Sequence, residues 1–287
     1  MKSRLDCIPC FQRQALEATR FATGDEHVQE QVLREVIHSL SGLDWKVSPL
    51  ELAYGVHGIV RRVSGENDPY RDVKQRCNDA ALRMYPELRK MVDESSTPLL
   101  TAVRLAIAGN IIDLGMGTKF DIKKTVVTTL KKDFRIDDFS KFVRTLNNST
   151  NITYLADNAG EIVFDKLLLE TIQKEYDIEK ILFAVKGAPF INDATLEDAI
   201  YAGLDQLPGI KFIGVGIGNG SEIEYSSEKF ADILAASDIV ISKGQGNYEA
   251  FSSYKEIFFL LIAKCPVIAR DIGVKVGDII LKYSSKK

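Results

Sequence analysis

Ile152-Thr153-Tyr154-Leu155-Ala156-Asp157-Asn158-Ala159-Gly160-Glu161 joins a short apolar run to an acid, an amide and a glycine, and a helical pattern follows to residue 176. An apolar run of this length reads as a strand buried on both faces, and the polar turn as its exit into a helix. The unit recurs at 180–185 then 195–202, at 211–215 then 227–236, and at 238–242 then 248–254, with 257–263 and 266–270 following. Strands alternating with helices through short connections build a mainly parallel, Rossmann-like α/β sheet. Such sheets bind ligands at the carboxyl ends of their strands, which is where Asp157 and Asn158 would lie.

Upstream the pattern is helical. Apolar residues recur at three- and four-residue spacings over 11–22, 26–39 and 49–63. Asp68-Pro69-Tyr70 reads as a helix start, with Asp68 as cap, and Pro86 is expected to stop that helix near residue 85. Pro98 opens another helix that should end or bend at Gly109-Asn110-Ile111-Ile112-Asp113, and further helical stretches cover 122–132 and 139–146. The polar run at 147–151 then marks a boundary between an all-helical domain, 1–148, and an α/β metal- and phosphate-binding domain, 149–287.

The chain of 287 residues has a net charge of −3 and no internal basic run, so a nucleic-acid partner is not expected. No apolar run approaches the roughly 18 residues of a membrane span, and no apolar signal segment follows Met1, so a cytoplasmic protein is expected. Oligomeric state is left open. Cys7 and Cys10 form a C-x-x-C, but Cys77 and Cys265 are isolated and supply no second pair for a structural zinc site.

The functional residues are those that local structure leaves over. Asn158 and Glu161 have the spacing of a capping box, which leaves Asp157 without a structural task. Thr195 and Asp198 cap the next helix and leave Asp193 over in the same way. Acids and amides on neighbouring strand-end loops, with no histidine among them, suit Mg²⁺ or Mn²⁺. Lys243, ending a buried strand before Gly244-Gln245-Gly246, reads as an anion cradle in which backbone N–H groups and one cation meet a phosphate. Lys264 follows the next strand and falls on a related edge. Gly214-Val215-Gly216-Ile217-Gly218-Asn219-Gly220 follows a strand but opens no helix, so it reads as a flexible loop and not as a dinucleotide site.

Taken in order, the C-x-x-C at 7–10, Asp-Pro-Tyr at 68–70, Gly-Asn-Ile-Ile-Asp at 109–113, Asp-Asn-Ala-Gly-Glu at 157–161, Asn-Asp-Ala-Thr at 192–195 and Ser-Lys-Gly-Gln-Gly-Asn-Tyr-Glu at 242–249 resemble the damage-control phosphatases. This is the acidic-residue-methyltransferase-like metal-binding domain family, formerly a domain of unknown function; the C-x-x-C form resembles its stand-alone archaeal and bacterial branch. The resemblance implies a phosphatase dependent on Mn²⁺, Ni²⁺ or Co²⁺ and acting on small phosphorylated metabolites. It implies Asp157, Asn158 and Asp193 as metal ligands. It also implies that Gln245, Gly246, Asn247, Tyr248, Glu249 and Lys264 face the substrate phosphate, with Lys243 beside them. Of the Arg-Thr-x-Lys motif of the methyltransferase-labelled branch, only Lys264 carries over.

Phosphomonoester hydrolysis is therefore the expected activity, with Asp157, Lys243 and Lys264 catalytic and Asn110 and Asp113 reaching the cleft from the helical half. Either a water or Asp157 itself could attack phosphorus. The alternatives are a non-catalytic protein that binds phosphometabolites with metal, and a carboxyl methyltransferase.

Overall fold

The computed structural model describes residues 1–44, 47–110, 126, 128–216 and 221–285. Its strands are β1 (Ile136–Asp137), β2 (Asn151–Leu155), β3 (Lys180–Lys186), β4 (Ile210–Gly216), β5 (Ile223–Glu224), β6 (Ile239–Lys243), β7 (Ile257–Ile262) and β8 (Ile279–Tyr283). They form one sheet in the order β1-β8-β7-β6-β2-β3-β4-β5. All pairings are parallel except β7 with β8. The sheet is thus the mostly parallel α/β arrangement that the apolar runs predict, with β7 buried at every position.

The connections fix where a ligand can enter. From β2 the chain moves to β3 and β4 on one side, while β6 lies on the other side of β2 and leads on to β7. The direction of winding reverses between β2 and β6, so their carboxyl ends diverge into a crevice. Asp157 follows β2 and Gly244 follows β6, which puts both at its mouth.

Helices α1 (Cys7–Ala22), α2 (Glu26–Gly42), α3 (Pro49–Ser64), α4 (Arg71–Asp93) and α5 (Pro98–Gly109) precede the sheet. After them come α6 (Phe139–Leu146), α7 (Glu161–Glu175), α8 (Leu196–Tyr201), α9 (Glu228–Ala235), α10 (Gly244–Phe251) and α11 (Pro266–Ile272). Helix α7 packs on α4 and α5, and ten of its residues are buried, from Glu161 to Ile172. It is apolar nearly all round because it has neighbours on both sides. One hydrophobic cluster runs from Cys7 in α1 through Phe164 and Leu167 in α7 to Leu281 in β8. Strand β1 joins the sheet from before the expected 148/149 boundary.

Several local expectations differ from the structure. Helix α4 runs through Pro86 to Asp93. An internal proline costs about 3 kcal/mol; burial of Leu88 and Val92 beyond it offsets that, at roughly 1.5–3 kcal/mol each. The antiparallel β8 has no counterpart in the sequence reading. Gly214 and Gly216 belong to β4, so half of the expected glycine loop is strand; residues 217–220 lie outside the described residues, as does most of 122–132. Among the described residues no helix is long and apolar enough to cross a membrane.

Candidate active site

The turn after β2 differs from the expected capping box. Gly160, at φ +78°, is the residue before the helix, and Glu161 is the first residue of α7. The backbone reverses hand at Gly160, so the helix starts too late for Asn158 to cap it. A side chain at Gly160 would meet the backbone of Cys77, since a Cβ there would lie 2.9 Å from the Cys77 carbonyl oxygen. Asn158 instead donates through Nδ2 to Asp157 Oδ2 at 2.8 Å and to Glu161 Oε2 at 3.2 Å. Asn110, at the end of α5, donates to the same two oxygens at 2.7 and 2.6 Å. Two amides therefore hold two carboxylates side by side, and Asn110 is itself fully buried.

The second turn, after β3, is laced to the first. Asn158 and Asp193 form an antiparallel bridge. Ala194 N donates to Asp157 O at 2.8 Å, and Ala159 N donates to Asn192 O at 3.0 Å. Directly paired residues of this kind have Cα atoms about 4.5–5.5 Å apart. Asp193 Oδ2 lies 3.1 Å from Lys186 Nζ, and Lys186 donates to the Tyr225 hydroxyl at 2.5 Å. Burial alone would pull the Lys186 ammonium down; Tyr225, Asp193 and Tyr54 around it more than offset this and hold it above its ordinary range. Helix α3 closes over this loop: Tyr54 stacks on Phe190 with centroids 4.0 Å apart, and Arg61 donates to Pro189 O at 3.4 Å.

On the β6 side the expectation for Lys243 changes. Its side chain is fully buried, and Nζ meets Asp165 Oδ1 at 2.5 Å, Glu161 Oε1 at 2.7 Å and Ala106 O at 2.9 Å. An ammonium has three protons to give, and all three go to protein acceptors. Lys243 thus locks Glu161 and does not present its charge to the cleft. The glycines after it are helix, not loop, because α10 opens at Gly244 with φ +76°. A Cβ at Gly244 would lie 1.8 Å from Asp157 Oδ2, so this position must be glycine for the carboxylate to sit where it does.

The remaining predicted residues divide. Asn247 donates to Ala156 O and Lys243 O, each at 2.9 Å, and so ties the β2 and β6 ends together. Tyr248 is buried and donates to Asp271 at 3.0 Å. Glu249, pushed up to about 7 by burial, lies within electrostatic reach of the Cys7 and Cys265 thiols. Among the described residues nothing lies within 4 Å of where a side chain at Gly246 would begin. Gln245 accepts from the Lys264 backbone N–H at 3.2 Å, which puts both at the β6–β7 edge. Asp113 lies outside the described residues. Cys7 and Cys10 are free thiols.

Sequence reasoning missed Glu161 as a site residue and Asp165, Lys186 and Tyr225 altogether. A signal existed for the first two: acids at 161 and 165 share a helix face one turn apart, inside an otherwise apolar run. Asp165 is pushed up to about 7, chiefly by burial and further by Glu161, against the pull of Lys243.

The donor set fits a hard dication. Asp157, Asn158 and Asp193 offer two carboxylates and an amide, and the buried Asn110 Oδ1 has no hydrogen-bond partner among the described residues. Among the described residues no three His, Cys, Asp or Glu side chains are grouped to hold a metal ion, so a cation here would use the amide and solvent oxygens as well.

A family model described as the damage-control phosphatase ARMT1-like domain matches residues 4–280. The chain belongs to this family. Three relatives match over nearly their full length. The uncharacterized protein MJ0202 of Methanocaldococcus jannaschii is 37% identical over 98% of this chain and 95% of that one. A protein of Archaeoglobus fulgidus named damage-control phosphatase is 34% identical, over 96% and 97%. Damage-control phosphatase PH1575 of Pyrococcus horikoshii is 30% identical, over 98% and 97%. The crystal structure of PH1575, described as a DUF89 family protein, superposes with a TM-score of 0.84 over 99% of both chains. The ARMT1-like fold is therefore common to both.

Proposed function

We propose that the chain is a divalent-cation-dependent phosphatase that releases phosphate from phosphomonoesters of small metabolites, such as sugar phosphates or damaged nucleotides, in a damage-control role. One observation carries the reading: two oxygen-bearing turns, 157–161 and 192–195, are bridged to each other at the sheet's switch point. The damage-control phosphatase names of the Archaeoglobus and Pyrococcus relatives support it.

Asp157, Asn158 and Asp193 would hold the cation, with Mn²⁺, Ni²⁺ or Co²⁺ as first choices and Mg²⁺ suited to the same oxygens. When bound, such a cation polarises a phosphoryl group and neutralises its charge. The chain's own residues do the rest. The Asn110 and Asn158 amides, each also bonded to Glu161, fix the Asp157 carboxylate, so that it needs no rearrangement when substrate arrives. Lys243 acts one step back by anchoring Glu161. Gln245, Gly246 and Lys264 form the open β6–β7 edge against which the phosphate oxygens bind. Lys186 adds positive charge beside Asp193.

Purified protein with p-nitrophenyl phosphate and a panel of phosphometabolites, each with Mn²⁺, Ni²⁺, Co²⁺ or Mg²⁺, should release inorganic phosphate, and Asp157→Ala should abolish the release. Wild-type turnover in that variant would end the assignment. Binding of phosphometabolites without release would mean a non-catalytic binding protein instead.

A further inference from the structure

Asp68-Pro69-Tyr70 lies in the helical half, yet Asp68 is buried and leads directly to the proposed site. Its Oδ1 accepts the Tyr70 N–H at 3.2 Å, and its Oδ2 pairs with Lys74 Nζ at 3.0 Å. Lys74 also reaches Asp198 Oδ2 at 3.3 Å. Asn78, one turn further along α4 and fully buried, donates to Asp198 Oδ1 at 2.9 Å. The carbonyl oxygen of the same side chain accepts the Gly160 N–H at 2.6 Å. Asp198 in turn accepts Thr195 N at 2.9 Å and Thr195 Oγ1 at 2.8 Å. One amide on α4 therefore bonds the turn carrying Asp157 and Asn158 through its oxygen, and through its nitrogen it holds Asp198, which in turn bonds Thr195 in the turn carrying Asp193.

We propose that Asn78, backed by Lys74 and Asp68, is a positioning residue that sets the distance between the two ligand-bearing turns and so tunes cation affinity. The inference rests on the cation site proposed above. A chelating pair gains from a fixed spacing, because ligands held in place lose no freedom when the ion enters. Only a side chain with one donor and one acceptor can bridge a backbone N–H to a carboxylate, and asparagine has both. Lys74 makes the arrangement tolerable by supplying the positive charge that two buried carboxylates, Asp68 and Asp198, require.

The test is Mn²⁺ binding to substrate-free protein, read as free Mn²⁺ by electron paramagnetic resonance, below the melting temperature of every variant. Asn78→Ala should weaken Mn²⁺ binding by about 10–100-fold, the usual cost of losing a group that orients metal ligands. Asn78→Asp keeps the acceptor for Gly160 but sets a carboxylate against Asp198, and should weaken binding as well. Leu88→Ala, about 15 Å further along the same helix, supplies the comparison. It should lower the melting temperature and leave the Mn²⁺ affinity unchanged. Wild-type affinity in both Asn78 variants, or an equal loss in Leu88→Ala, would overturn the inference while the cation site stands. No Mn²⁺ binding by the wild type would remove the site itself, and the inference with it.

Discussion

Replacing Lys243 with methionine keeps the bulk of the side chain and removes the ammonium that Glu161, Asp165 and the Ala106 carbonyl share. Two buried carboxylates are then left without their cation. Removing one partner of a buried pair costs about 3–5 kcal/mol. At about 2–4 °C per kcal/mol for chains approaching this length, the melting temperature should fall by roughly 6–20 °C. A lysine that instead faced solvent and clamped phosphate would change stability by no more than about 0.5 kcal/mol on substitution.

The pH dependence sharpens the test. Asp165 is raised to about 7 in the folded protein, so its contribution to stability is present below the ordinary carboxylate range and is lost as pH rises through that value. Lys243 is the principal group pulling Asp165 down, so without it the loss continues to higher pH. The gap in melting temperature between Lys243→Met and wild type should therefore widen above about pH 7. Adding Asp165→Asn to the variant should recover part of the loss. Thermal melts one pH unit either side of that value, with phosphate release measured alongside, check all three points. A Lys243→Met protein as stable as wild type at the higher pH, and inactive only through a weakened substrate KM, would refute the buried-anchor reasoning.

The two glycines of the site should separate position from fold. Gly244→Ala puts a Cβ into Asp157 at a φ that costs a side chain about 1–2 kcal/mol, and a displacement of about 1 Å at Asp157 should lower phosphate release about 100-fold. Gly160→Ala meets the Cys77 backbone instead, so its melting temperature should fall at least as far, because helix α4 itself must shift. Differential scanning calorimetry and a phosphate assay on the two variants check the contrast.

The sheet was legible because its strands are unbroken apolar runs, and Asp157 and Asp193 stood out because the capping-box spacings beside them leave them over. Half of that reasoning fails in detail: Asn158 does not cap α7, since the chain turns at Gly160, yet Asp157 still stands at the strand end. Strand β8 was hidden because five residues after a short helix carry no periodic signal, and its antiparallel pairing is set by tertiary contact alone. Lys243 misled because a lysine before glycines looks solvent-facing in sequence. Only the fold shows that Glu161 and Asp165, some eighty residues earlier, close around it. The Asn78 bridge could not be read at all, since a helical asparagine gives no hint of partners 82 and 120 residues away.

Crystals grown with saturating Mn²⁺ and measured at the manganese absorption edge address the central claim. The account predicts one anomalous peak in the crevice between β2 and β6, within bonding distance of Asp157, Asn158 and Asp193. An empty crevice, or a peak held by other side chains, would contradict it.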